Sequence, residues 1–236
     1  MDSIILPRHL GIIMDGNGRW AQTRKKSRLT GHRQGAESVR NIVRACRKKG
    51  IPALTLYAFS QENWERPVSE IKGLMHLLQR FLKQERQTLQ EQQIRLNSIG
   101  RLQQLPNNVR KLLFEVMQET QANQAMVLTL ALSYGGQQEI VEAARKISEL
   151  AQKGELIPAE LDEKIFASYL MTHGLPELDL VIRTSGEIRI SNFLLWQSAY
   201  AEFYFTNTNW PDFNEAELDL ALQEFSQRQR RFGKTD

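Results

Sequence analysis

Asp15 is followed at once by Gly16, Asn17, Gly18 and Arg19, which puts a carboxylate, two glycines, an amide and a guanidinium within five residues. Glycines let backbone N–H groups approach a phosphate closely, and arginine can grip one bidentately. An acid directly before those glycines repels a pyrophosphate unless a cation stands between them. Asp15 therefore reads as a Mg²⁺ ligand, because magnesium is commonly held by one or two carboxylates plus substrate phosphates. Ionisation of an allylic diphosphate needs this arrangement, since the leaving pyrophosphate gathers negative charge as its C–O bond breaks. An ordinary Asp-Gly or Asn-Gly turn is the competing reading. Gly16 to Ala21 also fits the dinucleotide pattern G-x-G-x-x-G/A, but the acid required about twenty residues on is met only by Glu37, inside a basic stretch.

That stretch is the sharpest feature of the charge pattern. Arg19 to Lys49 holds eleven Lys and Arg against one acid, Glu37, a balance of +10, while the remainder carries 20 basic and 26 acidic residues, a balance of −6. Arg28 and His32 lie in it beside the Asp15 motif. It reads either as an anion-binding segment or as a solvated basic helix. Arg183 and Arg189, with Ser191, form a second basic group that could grip a diphosphate, unless Glu187 merely pairs with them. Two anion sites, one with an acid and one without, suit two diphosphates meeting head to tail. Asn63 could orient or relay a proton between them. Trp64 and Trp20 adjoin polar loops, and packing competes with function for both.

Elements that could position these residues follow from hydrophobic periodicity. Near-continuous apolar runs predict strands at 10–14, 53–59, 95–99, 127–133, 178–182 and 202–206, as for parallel strands covered on both faces. Helical patterns fall at 34–49, 69–92, 108–123, 137–153, 162–172, 192–200 and 215–231. The alternation predicts one α/β domain over residues 1–236, with a central, mostly parallel sheet of about six strands flanked by helices. Ligands bind beyond the carboxyl ends of such strands, where Asp15–Trp20, Ser60–Arg66 (with Gln61 and Glu62), Tyr134–Gly136 and Arg183–Ser191 all fall. The stripe Ile71, Leu74, Met75, Leu77, Leu78, Phe81, Leu82 is core packing, or one wall of an apolar tunnel.

The bulk composition agrees with a soluble globular chain. It has 236 residues, 41% apolar and 25% charged, with no repeat or low-complexity tract. One cysteine, Cys46, excludes an intrachain disulfide and points to a reducing cytoplasm. The first residues are too short and acidic for a signal peptide, and no apolar run approaches the ~20 residues of a membrane span.

These residues resemble the cis-prenyltransferases, and within them the bacterial undecaprenyl diphosphate synthases. The resemblance is carried by Asp15-Gly16-Asn17-Gly18-Arg19-Trp20-Ala21, Gly31-His32, Leu56–Ser60 with Glu62-Asn63-Trp64, Asp179–Thr184, Arg189–Gln197 (including Ile190 and Ser191) and Trp210-Pro211-Asp212-Phe213. It implies farnesyl diphosphate as primer, isopentenyl diphosphate as extender, Mg²⁺ as cofactor, and a long cis-polyprenyl diphosphate for the cell-wall lipid carrier. Asp15 would be metal ligand and main catalytic residue. Gly16, Asn17, Gly18, Arg19, Trp20, Arg28 and His32 would hold the allylic diphosphate. Ser60, Gln61, Glu62, Trp64 and Arg66 would belong to the substrate loop, with Asn63 as proton acceptor. Arg183, Arg189, Ile190 and Ser191 would bind isopentenyl diphosphate, and Glu202 would be a second metal-linked acid. The resemblance also implies a homodimer, with Arg231-Phe232-Gly233 reaching the neighbouring site, and transient membrane contact at product release. Ser185 departs from it, because many relatives have glycine there.

A trans-prenyltransferase would show aspartate-rich D-D-x-x-D motifs, and the chain has no Asp-Asp pair. A nucleic-acid-binding module would explain the basic segment but not Asp15 beside it. A silent partner subunit of a heteromeric synthase would lack that aspartate.

Overall fold

A computed structural model describes residues 4–228. The six predicted strands all form: β1 (His9–Ile13), β2 (Ala53–Ser60), β3 (Ile94–Ile99), β4 (Met126–Tyr134), β5 (Leu180–Arg183) and β6 (Glu202–Phe205). They make one sheet of order β3-β4-β2-β1-β5-β6 in which every pairing is parallel. The sheet is thus wholly parallel rather than mostly so. Central strands buried on both faces need apolar side chains in both directions, and all five residues of β1 are buried.

Helices α1 (Asn17–Thr23), α2 (Arg28–Lys49), α3 (Val68–Glu91), α4 (Asn107–Glu119), α5 (Gly136–Gln152), α6 (Glu163–Ser168) and α7 (Glu215–Gln227) connect and cover the strands. The main core joins Leu54, Leu56, Leu128 and Leu130 of the sheet to Ile42 of α2, Leu82 of α3, Leu113 of α4 and Leu222 of α7. A second cluster on Ile13, Tyr134 and Val181 is closed by Phe193 and Leu194.

Five helix predictions are corrected, two of them because α4 stops at Glu119 rather than 123 and α7 at Gln227 rather than 231. α2 begins at Arg28, six residues earlier than expected, because the Ser27 side chain accepts the Thr30 N–H and caps it. α6 stops at Ser168 rather than 172. The helix expected over 192–200 is absent apart from a 3₁₀ turn at Gln197–Tyr200. Ser191, Asn192 and Leu194 take φ of 46°, 64° and 44°, left-handed values that no right-handed helix accommodates. Ser185 has φ 77°, a left-handed value that glycine adopts more readily than serine.

His9 ties β1 to its neighbours. Its Nδ1 lies 3.0 Å from the Pro176 carbonyl, and Nε2 lies 2.7 Å from Thr55 Oγ1. A carbonyl only accepts, so Nδ1 carries the proton and Nε2 accepts from the threonine hydroxyl. Burial pushes its pKa down to about 4, against the opposing pull of Pro176 and Asp179. The folded value lies below the unfolded one, so this stability is present above pH ~6.5 and lost as pH falls through about 4. We expect the stability advantage of the native chain over His9→Asn to shrink by about 3 kcal/mol between pH 7 and 4, read from urea unfolding. A constant difference across that range would refute the assignment.

Candidate active site

Because every strand runs the same way, the turns after β1, β2, β4 and β5 all emerge on one rim. Asp15 stands two residues past β1, a third of its side chain exposed. Its Oδ1 accepts the Gly16 N–H at 2.7 Å, and its Oδ2 accepts from Arg183 at 2.9 Å, with Arg19 at 3.4 Å. Gly16 has φ 100°, and a Cβ there would stand 2.4 Å from Asn209 Oδ1, so only glycine turns the chain from β1 into α1 without strain.

Arg183 ends β5, buried between the two candidate anion loops. Besides Asp15 it donates to Ser191 Oγ at 2.7 Å and the Arg189 carbonyl at 2.5 Å, while its Nε has no partner. The two basic groups expected as separate sites are therefore joined through Asp15. Arg189 is largely exposed and pairs with Glu187, which also takes Arg19 at 3.0 Å. The salt-bridge reading of Arg189 is thus realised, and three guanidinium groups face two carboxylates, leaving positive charge at the rim.

A second basic cluster gathers on Glu70 of α3. Arg66 lies at 3.0 Å, and Arg28 and His32 each at 3.6 Å. Burial, then the charges of Arg66 and Arg28, push the His32 pKa down to about 4, outweighing Glu70, so the ring is neutral near pH 7. His32 Nε2, 3.6 Å from Glu70, and Asn17 Oδ1 are buried without a direct hydrogen bond inside the protein, so both have bonding capacity to spare. Elsewhere the basic segment is structural: Arg24 pairs with Asp212, Arg40 with Glu85 and Glu37, and Lys49 with Asp219.

A polar cleft of about 530 Å³ lies among Asp15, Ser60, Glu62, Arg183, Ser191 and Asn192. Behind it an apolar cavity of about 190 Å³ runs between α2 and α3, lined by Val39, Leu74, Leu77, Leu78 and Phe81. Met14, Tyr57, Asn63 and Arg66 border both spaces. The α3 stripe is at once core and cavity wall. Asn63 sits at the junction, its Oδ1 accepting the Ser60 N–H at 3.3 Å.

Several predicted residues stand outside this cleft. Trp20 is buried, donates from Nε1 to Asp212 at 2.7 Å and carries Arg24 over its ring, so it packs rather than lines the cleft. Trp64 donates to Ser133 Oγ at 2.7 Å and meets Phe59 edge-on. Gln61 accepts from Ser133, and Ile190 packs against the second core cluster. Glu202 opens β6 level with Leu180, at the end of the sheet away from Asp15, and pairs with Arg228 at 2.8 Å. Within the chain it cannot share an ion with Asp15. The expected contribution of Arg231–Gly233 lies outside the described residues. Glu70 and Asn192 are groups at the rim whose roles sequence did not single out, while Glu187 was expected only as a pairing partner. Arg66-x-x-x-Glu70 spacing was the available signal for the first.

The residues fit a magnesium ion held jointly with substrate. Asp15 offers one partly exposed carboxylate on the cleft, and no group of three or more potential ligands exists among the described residues. Such a sparse donor set suits a metal completed by phosphates and water.

The family model described as "Putative undecaprenyl diphosphate synthase" matches residues 13–233. An isoprenyl transferase of Chlorobaculum tepidum is 53% identical over 233 residues, 99% of this chain and 88% of the relative. A ditrans,polycis-undecaprenyl-diphosphate synthase ((2E,6E)-farnesyl-diphosphate specific) of Legionella pneumophila is 47% identical, over 97% of this chain and 96% of the relative. The crystal structure of lavandulyl diphosphate synthase from Lavandula x intermedia, in complex with dimethylallyl diphosphate, superposes with a TM-score of 0.95 at 39% identity, over 97% of this chain and 99% of that one. Matched nearly end to end in sequence and in fold, the chain belongs to the undecaprenyl diphosphate synthase family of prenyltransferases.

Proposed function

We propose that the chain adds isopentenyl diphosphate units with cis geometry to farnesyl diphosphate, giving undecaprenyl diphosphate for a cell-wall lipid carrier. The observation that carries this reading is a charged cleft opening directly into an apolar cavity at Asn63 and Arg66. A diphosphate head and a hydrocarbon tail need those two environments side by side. The name of the Legionella relative supports farnesyl diphosphate as primer.

In this reading Gly16, Asn17, Gly18, Arg19, Arg28 and His32 receive the allylic diphosphate. Neutral His32 donates or accepts one hydrogen bond at its unpartnered Nε2. Arg183, Arg189 and Ser191 receive isopentenyl diphosphate. Asp15, together with the phosphates, would hold a magnesium ion, which would supply neutralisation of the charge on the departing pyrophosphate. Arg183 and Arg19 hold the Asp15 carboxylate aimed at the cleft. One C–O bond breaks in the primer, one C–C bond forms, and one proton leaves the extender toward Asn63, which passes it to phosphate. Leu74, Leu78 and Phe81 exclude water from the tail. We further read the whole chain as one catalytic unit that works as a cytoplasmic homodimer and touches the membrane only at product release. No helix among the described residues is long and apolar enough to cross a membrane.

Incubation with labelled isopentenyl diphosphate, farnesyl diphosphate and Mg²⁺ tests the proposal. A long polyprenyl product with cis added units is expected, abolished by chelator and restored by excess Mg²⁺. Undiminished synthesis in chelator would remove the metal, and a single condensation would overturn the long product.

A further inference from the structure

Asn192 joins the two halves of the cleft. Its Nδ2 donates to Glu62 Oε1 and to Gln138 Oε1, each at 3.0 Å, and its Oδ1 accepts the Gln137 N–H at 2.8 Å. Its carbonyl accepts the Gly136 N–H at 2.7 Å. One residue thus ties the turn after β5 to the first turn of α5 and to the 3₁₀ segment Gln61–Glu65 after β2. Its left-handed φ of 64° is one that asparagine and aspartate tolerate better than most side chains.

The neighbours on each side of this link are the groups assigned above to different reactants. Ser191, adjacent in sequence, is held by Arg183 through its Oγ and by the Tyr57 hydroxyl through its carbonyl. Asn63, adjacent to Glu62, borders both the polar cleft and the apolar cavity. Burial works to raise the Glu62 carboxyl, but hydrogen bonds from Asn192, its own backbone and Ser60 outweigh it and hold it below the usual range. Glu62 is therefore a charged acceptor, and hydrogen bonds to charged acceptors are the strong ones.

The geometry points to Asn192 as a positioning residue that sets the extender-binding turn against the segment carrying Asn63, through its bond to Glu62. This inference rests on the proposed division of the cleft between the two substrates. The link carries position, not chemistry, so it acts on how well an already bound extender faces the primer.

A donor–acceptor exchange tests it. Asn192→Asp keeps the left-handed turn and the Gln137 N–H bond but sets two carboxylates face to face. We expect kcat/KM for isopentenyl diphosphate to fall about tenfold or more, with affinity for farnesyl diphosphate and the unfolding midpoint little changed. Adding Glu62→Gln supplies an amide donor opposite the carboxylate introduced at position 192, so the double variant Asn192→Asp/Glu62→Gln recovers most of that loss. Glu62→Ala, on an outer turn that leaves the fold intact, lowers the same parameter without touching residue 192. Asn192→Asp with native kinetics, or a double variant no better than the single, overturns the inference. Arg189→Ala, run alongside, tests the underlying assignment. It should raise the KM for isopentenyl diphosphate and spare farnesyl diphosphate. If it moves both equally, the division of the cleft fails. If it behaves as expected and the exchange does not rescue, the Asn192 link alone fails.

Discussion

Asp15→Ala is expected to lower turnover on the order of a thousandfold or more while the protein still folds. The substitution removes the one carboxylate that stands between Arg183 and Arg19 on the cleft. In the proposed reading the metal then loses its protein ligand, and Arg183 and Arg19 each lose one of several partners. The fold survives because Arg183 keeps Ser191 Oγ and the Arg189 carbonyl as acceptors, which limits the cost to about 1–3 kcal/mol. Asp15→Asn refines the test: it preserves shape and an acceptor, so a comparable loss of turnover isolates the charge. Steady-state rates with circular dichroism and a thermal midpoint suffice. Near-native turnover in the alanine variant would end the proposed role of this carboxylate.

Gly31→Ala is expected to destabilise the protein markedly by forcing α1 and α2 apart. α2 crosses the first turn of α1 at this residue, and an added Cβ would stand 2.0 Å from the Asn17 carbonyl oxygen and 2.9 Å from its carbon. Both are backbone atoms, so relief requires α1 and α2 to separate. Overpacking of this kind costs about 1–3 kcal/mol or more. Asn17 would move with α1, so kcat/KM should fall as well. Gly18→Ala is the control: its Cβ meets the Arg28 side chain no closer than 3.4 Å, and a flexible side chain gives way. If Gly31→Ala unfolds at the same temperature as Gly18→Ala, the close crossing is not what this region depends on.

Six strands were legible because parallel strands buried on both faces must be apolar along their length, and the run from Ala53 to Phe59 is nearly so. The rim position of Asp15, Asn63 and Arg183 followed from the same fact. What stayed hidden was set by tertiary contacts. Segment 192–200 carries helix-forming residues, yet hydrogen bonds to Gly136 and Gln137 hold Asn192 in a left-handed turn. Trp20 adjoins the glycines in sequence but turns to Asp212, 192 positions away. No local pattern announces that Arg183 reaches Asp15 across a strand pair, or that Glu70 collects three basic groups from α2 and the loop before α3. Glu202 matched a family position, but the strand expected over 202–206 already put it at the start of β6 rather than on the rim, and the register with Leu180 agrees.

The apolar cavity behind Asn63 measures about 190 Å³, and roughly 150 Å³ takes a single benzene ring. An undecaprenyl tail dwarfs that volume. In the proposed reading a growing tail needs more room than this, and α2 and α3, paired through Arg40 and Glu85 at 2.6 Å, are the walls that would have to part.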